Sequence, residues 1–473
     1  AIIGMACRLP NGIKNTQDFW QSLESGQDDI INVPENRWNE YDKDELLKNP
    51  YLQKAGFLTE DIEEFDSRLF KIPPKEASYI DPQQRMVLKV CWEVLENAGY
   101  SPTELKGKKI GVFCGVAQTD FLNENITRNE HDIDVTGMNV SFISGRISYF
   151  FGFHGPALTI DTACSASASA INQAIKSLRD NDCEMAIVCG VNIMFSPETT
   201  KKLSALNILS KTCELKSFDK FANGTVRGEG CCAILLKNLS KATADNDSIH
   251  CVIKGSYINH DGASTSLTAP NGFAQEELLK SAWIKSGITP NDIDYIETHG
   301  TGTALGDPIE IKSISNVIGS NRTEPLYIGS LKASIGHLEP ASGIASVIKT
   351  ALMLEHKKIV KSINYNVPSE YVNWNAISVK VAQNLMDWNK SNGKNRVAGV
   401  SSFGLSGTNV HIVLEEYNKD TVTTQDMPVY PFMFSAVTEN ALIEQMKKFL
   451  AYVETCKDIN LTNLSYTQNV TRA

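Results

Sequence analysis

The chain has 473 residues, 42% of them hydrophobic and 21% charged, with a formal net charge of −10. That composition excludes a disordered or fibrous protein, and at roughly 100–200 residues per domain the length predicts two or three domains or one large duplicated unit. The acidic balance without a basic run argues against a nucleic-acid partner, and no apolar stretch approaches the about 18–20 residues of a membrane span.

The chain opens on Ala1-Ile2-Ile3-Gly4, an apolar run with no initiator Met and no signal-peptide pattern, which reads as a segment of a longer cytosolic polypeptide. Met86, Val90, Val94 and Leu95 then recur at helical spacing and end at Asn97-Ala98-Gly99, a helix stop. Short apolar runs predict strands at 110–114, 157–160, 185–189, 231–236, 293–296, 326–328 and 410–414. Helical faces follow at Ile171, Ile175 and Leu178, and at Ile344, Ile348 and Leu352. Residues 223–230 and 259–272 read as loops, and the stretches on either side of the second share a rhythm of strand, turn and helix without a sequence repeat. This alternation predicts an α/β fold with buried sheets. Past Glu416 the chain turns polar, and Leu442, Met446, Leu450 and Val453 then mark one helical face. A domain boundary is placed near residue 419. The 11 cysteines are scattered with no CxxC pair, the pattern of reduced thiols.

Cys164 follows an apolar run and the turn Asp161-Thr162-Ala163, and precedes a stretch made only of Ser and Ala. It therefore sits where a strand hands over to a helix, and the free N–H groups of a helix start favour a thiolate and a lowered pKa. Two readings stand: an acyl-accepting nucleophile, or a buried inert cysteine. His299, in Glu297-Thr298-His299-Gly300-Thr301-Gly302-Thr303, and His337, in Lys332-Ala333-Ser334-Ile335-Gly336-His337, each stand beside a glycine at the mouth of a strand. Ligands bind there in open α/β sheets. Either histidine alone reads equally as one satisfied by backbone. His411 lies within a strand and reads as structural. His131, His154, His250 and His356 lie in polar contexts, and His260 is a loop residue that can line a pocket. No metal site is expected, because neither CxxC nor HExxH occurs. Gly300, Gly302 and Gly306 miss the dinucleotide fingerprint by one residue, and there is no GxxxxGK[ST] or GxSxG. The Gly/Ser-rich turn at 399–409 can aim backbone N–H groups at an oxyanion.

Taken together, these segments resemble the β-ketoacyl synthase (ketosynthase) domains of modular type I polyketide synthases, and animal-type fatty acid synthase shares the pattern. The resemblance runs through Ile2–Pro10, Val33–Trp38, Asp81–Arg85, Ser144–Tyr149, Asp161–Ser165, Val226–Gly230, His299–Glu310, Gly336-His337 and Ser401–Asn409. It implies an α/β thiolase-like fold, a duplicated α-β-α-β-α five-layer architecture, plus the start of a C-terminal α/β linker domain, which Leu464-Ser465-Tyr466-Thr467-Gln468 resembles. The expected parts are 1–255, a half carrying the nucleophile; 256–419, a half carrying two catalytic histidines; and 420–473, the beginning of the linker domain. The resemblance further implies that Cys164 is the nucleophile, that His299, His337 and Lys332 complete the catalytic site, and that Thr301 and Thr303 contact a pantetheine arm. Phe403 would gate the acyl pocket and form the oxyanion hole with its own backbone N–H and that of Cys164. The implied activity is decarboxylative condensation of an acyl chain with a malonyl-type carrier thioester. No metal or cofactor is needed in this chain, since substrates ride on the phosphopantetheine of an acyl carrier protein. Neighbouring synthase domains and a homodimer are the expected partners; whether an acyltransferase follows in the same chain or acts from another is left open. The alternatives are a non-elongating ketosynthase, which typically lacks the histidine matching His299; a silent dimer scaffold, which typically lacks the cysteine; and a plain thiolase, which uses a second cysteine. Ser334 stands where the family usually has Asn, removing an amide from the loop that holds His337. His260 replaces a frequent Gln, Thr265-Ser266 a common Asn-Gly, and Ala166 a common Ser.

Overall fold

Apolar runs such as Ile110–Gly115 and the strand Met185–Asn192, polar only at its last residue, are buried at every residue, as strands covered on both faces require. The computed structural model describes residues 1–117, 120–127, 135–319, 322, 324–390, 393–418, 427–456 and 459–472. His131 and the boundary expected near 419 lie outside the described residues.

Eleven strands form the main sheet: β1 (Ile2–Arg8), β2 (Ile110–Gly115), β3 (Ala157–Ile160), β4 (Met185–Asn192), β5 (Gly230–Lys237), β6 (Cys251–His260), β7 (Tyr295–Glu297), β8 (Leu326–Gly329), β9 (Val379–Val381), β10 (Val397–Phe403) and β11 (Thr408–Glu416). Their spatial order is β9-β8-β7-β10-β11-β6-β1-β5-β4-β2-β3. The two halves repeat one plan. In the first, β3, β2 and β4 run parallel and β5 and β1 follow antiparallel. In the second, β8, β7 and β10 run parallel and β11 and β6 follow antiparallel. Strand β9 adds an outer edge to the second half. The halves meet at the pair Ile2–Cys251, so each works as its own β layer.

The helices complete the layering. Helix α1 (Pro82–Asn97) covers the outer face of the first half, and α2 (Ser141–Phe151) packs beside it. Helix α3 (Ala166–Arg179) lies inside. Helices α4 (Gly272–Ser286) and α5 (Gly306–Ile318) pair on the outer side of the second half, and α6 (Ser342–His356) lies inside against α3 and both halves. Every residue of α6 from Ser342 to Leu354 is buried. Ile344, Ile348 and Ala351 join Ile171, Ala174, Val188 and Ile412 in the core between the halves, where each large aliphatic side chain stabilises the fold by about 1.5–3 kcal/mol. Small residues set the helix spacing: a Cβ on Gly343 would stand 2.9 Å from Ala168 Cβ and N. This is the expected five-layer arrangement.

Three details differ from the sequence expectations. Asn259 and His260 end a long strand rather than start a loop, because β6 pairs with β11 as far as His260–Thr408. Gly399–Phe403 continues β10, and only residues 404–407 make the turn. The C-terminal helices α7 (Glu439–Thr455) and α8 (Leu461–Val470) form as the periodicity requires, yet no residue of α7 is buried. Its Phe449 touches Phe432 and Phe434, with ring centroids 5.3 and 5.0 Å away. Among the described residues no helix is long and apolar enough to cross a membrane.

Candidate active site

The duplicated plan brings the candidate side chains together. Strands β3 and β8 occupy equivalent places in their halves; Cys164 follows the first and His337 the second. Each stands just before one of the two central helices, α3 and α6. His299 leaves the neighbouring strand β7.

At Cys164 the chain is forced into a tight turn. Asp161 Oδ1 accepts the Ala163 N–H at 2.9 Å, and Ala163 adopts a left-handed φ of 54°. That conformation costs an L-residue roughly 1–2 kcal/mol, and Ala is the smallest side chain that bears it. A short 3₁₀ turn, Ala163–Ser165, then leads into α3. The Ser402 hydroxyl fixes the Cys164 carbonyl at 3.0 Å. The thiol does not behave as its helix-start position predicts. Burial pushes it up to about 12, and the negative charge of Glu339 adds to that, while Lys332 and the N–H groups of Leu405 and Cys164 itself oppose it. The expected lowering of the pKa is therefore corrected: desolvation of a thiolate outweighs the helix terminus.

The two histidine rings lie 5.6 Å apart at 86°. His299 Nδ1 accepts the Phe403 N–H at 3.2 Å. His337 Nδ1 accepts the Glu339 N–H at 3.2 Å and lies 2.8 Å from the Ser342 hydroxyl. Burial first, and the charge of Lys332 second, hold both rings well below the usual histidine range. A neutral imidazole whose Nδ1 accepts carries its proton on Nε2, so both rings are Nε2–H donors.

Carboxylates hold the loops that carry them. Glu310 accepts the N–H groups of His299 and Gly300 at 2.8 and 2.9 Å, and Asp307 accepts those of Phe218 and Gly302 at 2.8 and 3.1 Å. Burial raises both acids to about 7. The His337 loop hangs on main-chain bonds: its N–H donates to the Val226 carbonyl at 2.7 Å and its carbonyl accepts from Gly228 at 2.8 Å. Arg227 next door grips Glu339 through two nitrogens. Ser334 contributes its carbonyl, which accepts the Asp29 N–H at 2.7 Å.

A cavity of about 550 Å³ gathers Cys164, His299, His337, Thr301, Thr303 and Phe403 on one wall system. The Thr301 and Thr303 hydroxyls are 3.3 Å apart, and the Phe403 ring lies 5.3 Å from that of His299. Lys332 is buried behind this wall rather than in it; burial pushes its ammonium below the usual lysine range, opposed by the charges of Glu297 and then Glu310. The Phe403 N–H, expected in an oxyanion hole, is shared with His299. His260 does not line the cavity; it braces the turn after Phe403 through Nε2 to the Ser406 carbonyl at 2.9 Å. His411 is structural, held by Ser401 and Trp283 at 2.9 and 3.1 Å. Sequence reasoning passed over Glu297, Asp307, Glu310, Arg227, Glu339 and Leu405. Charged residues inside glycine-rich turns beside the histidines were the available signal. Among the described residues no group of three or more His, Cys, Asp or Glu side chains gathers as metal ligands.

Comparison with known proteins bears on this geometry. The model of the β-ketoacyl synthase N-terminal domain matches residues 1–242, that of the C-terminal domain 250–366, and that of the ketoacyl-synthetase C-terminal extension 368–473. The chain belongs to the β-ketoacyl synthase family. It is a condensing-enzyme domain of the kind found in modular polyketide synthases. It is 40% identical over 466 residues to the pikromycin polyketide synthase component PikAII of Streptomyces venezuelae, covering 96% of this chain and 12% of that protein. It is 37% identical over 498 residues to the polyketide synthase PksM of Bacillus subtilis, covering 100% of this chain and 12% of that protein. The ketosynthase from module 6 of the bacillaene synthase from Bacillus subtilis superposes with a TM-score of 0.90 at 36% identity, covering 100% of this chain and 80% of that one. This ketosynthase chain thus spans 6–30% of the length of such curated relatives.

Proposed function

We propose that the chain extends a polyketide by decarboxylative Claisen condensation, with Cys164 as the acyl carrier of the reaction. The observation that supports this most is the pair of neutral Nε2–H donors, His299 and His337, in one cavity with the cysteine. In the first half-reaction Cys164 Sγ attacks a carrier-bound thioester; the acyl–sulfur bond to pantetheine breaks, and the proton of Cys164 ends on the pantetheine thiol. The Leu405 and Cys164 N–H groups and the charge of Lys332 stabilise the thiolate as it forms. In the second, a malonyl-type carrier thioester loses carbon dioxide. The electron pair moves to the thioester oxygen, where His299 and His337 each donate a hydrogen bond, worth about 2.7–4 kcal/mol per preorganised donor. The resulting carbanion attacks the acyl–Cys164 carbonyl, and sulfur leaves. The N–H groups of Cys164 and Phe403 hold the tetrahedral oxyanion; the bond from Phe403 to His299 is long at 3.2 Å, so a charged second acceptor can share that donor. Thr301 and Thr303 line the path of the pantetheine arm.

The partner this chemistry calls for is an acyl carrier protein, with neighbouring synthase domains in the cytoplasm. A homodimer is favoured by β3, an open sheet edge whose Leu158 is 42% exposed; two copies pair such an edge across a two-fold axis. Incubation with a panel of acyl-pantetheine thioesters, read by intact mass, tests the first half-reaction. A gain of one acyl group that Cys164→Ala abolishes is the expected result; a gain that survives the substitution assigns the wrong cysteine.

A further inference from the structure

We infer that Glu297 is a positioning residue for the condensation, locking the strand that delivers His299 to the turn that delivers Lys332 and His337, with Lys349 as its counter-ion. The inference rests on the condensing reading above. Glu297 ends β7, two residues before His299. Its Oε1 accepts the Leu331 N–H at 2.6 Å, one residue before Lys332. Its Oε2 accepts from Lys349 Nζ at 2.6 Å and from the Tyr295 hydroxyl at 2.7 Å, and Lys349 also reaches that hydroxyl at 3.2 Å. Lys349 lies on α6, the helix whose first residue, Ser342, touches His337 Nδ1. One carboxylate therefore joins the two catalytic strands and the helix behind the second histidine.

Glu297 and Tyr295 are fully buried and Lys349 is 2% exposed, and none of them lines the cavity, so the group reaches no substrate. A buried ion pair of this kind is a weak source of net stability and a strong source of register. Three donors on two oxygens suit a carboxylate; a carboxamide offers one acceptor oxygen. Glu297 is also foremost among the charges that favour the Lys332 ammonium.

The test uses the whole chain with Glu297→Gln and with the double variant Glu297→Gln/Lys349→Met, which removes the buried Lys349 cation along with its counter-charge and leaves Glu310 facing Lys332. Three readouts separate positioning from plain destabilisation: acylation of Cys164, carbon dioxide release from a malonyl carrier thioester, and the imidazole nitrogen spectrum of histidine-labelled protein. Cys164 sits on the α3 turn, which Glu297 does not touch. The double variant is expected to fold, to acylate Cys164 within about fivefold of the parent, and to release carbon dioxide about 30- to 100-fold more slowly. His299 and His337 should lose their uniform Nε2–H signals, while His411, whose Nε2 accepts from Trp283, keeps its Nδ1–H signal. Carbon dioxide release at the parent rate, or both half-reactions falling in parallel with unchanged imidazole signals, would overturn the inference. A parent chain that acylates but never releases carbon dioxide defeats the condensing reading instead, and the imidazole spectra alone then decide the role of Glu297.

Discussion

Gly343→Ala probes the joint between the two halves of the site. Cys164 and His337 are delivered by α3 and α6, and these helices touch through Gly343 and Ala168. A Cβ at 343 would stand 2.9 Å from Ala168 Cβ and N and 3.2 Å from Ser167 Oγ, whereas ordinary contact begins at 3.4 Å. The backbone nitrogen of Ala168 has no rotamer to retreat into, so the helices must part by the difference, 3.4 − 2.9, about 0.5 Å. Overpacking of that kind costs about 1–3 kcal/mol, and displacing catalytic groups by even ~1 Å can cost about a hundredfold in rate. The variant should melt ~1–5 °C below the parent and condense about 10- to 100-fold more slowly. Turnover with an acyl thioester and a malonyl carrier thioester, alongside a thermal melt, measures both. Unchanged turnover at an unchanged melting point would refute the claim that this helix contact sets the distance between nucleophile and histidine.

Other outcomes follow from the same structure. With burial holding the Cys164 thiol at about 12, the rate of its alkylation by iodoacetamide should rise about tenfold per pH unit to about pH 10; a plateau near neutrality would mean that the helix start wins. Asp307, raised from 3.8 to about 7, binds its proton more tightly folded than unfolded. Its contribution is full below about pH 4 and is lost by about pH 7, some 4 kcal/mol in all. Asp307→Asn leaves the Gly302 or Phe218 N–H unpaired, costing about 1–3 kcal/mol at every pH, but removes that slope. The variant should therefore melt below the parent near pH 5 and draw level or pass it near pH 8; a constant gap would contradict this. Leu158→Arg should convert a dimer to a monomer in light scattering, whereas an unchanged mass would place any interface away from β3.

The alternation of strands and helices was legible because buried parallel strands such as Ile110–Gly115 are apolar at every position. The residues that meet in the cavity were legible where a polar side chain interrupts such a pattern at a strand mouth, as at Cys164, His299 and His337. The duplication showed in the residues only as a shared rhythm and was expected from the family resemblance, since equivalence of β3 with β8 resides in pairing direction, which leaves no repeat in side chains. Asp307 lies in the first turn of α5 and Glu310 in the next; their burial appears only when the His299 loop folds over them. The Cys164 pKa was misjudged for a related reason. A helix start is visible in sequence, whereas the protein that closes around the thiol comes from distant segments, as with Ser402, 238 residues away.

The central claim is tested most directly by loading Cys164 with a short acyl chain, adding a malonyl carrier protein, and reading the carrier by mass spectrometry. A carrier-bound β-ketoacyl chain with loss of one carbon dioxide per turnover is expected, absent when Cys164 or His337 is replaced by Ala. Stable acylation of Cys164 that moves to and from the carrier without any β-ketoacyl product would contradict it.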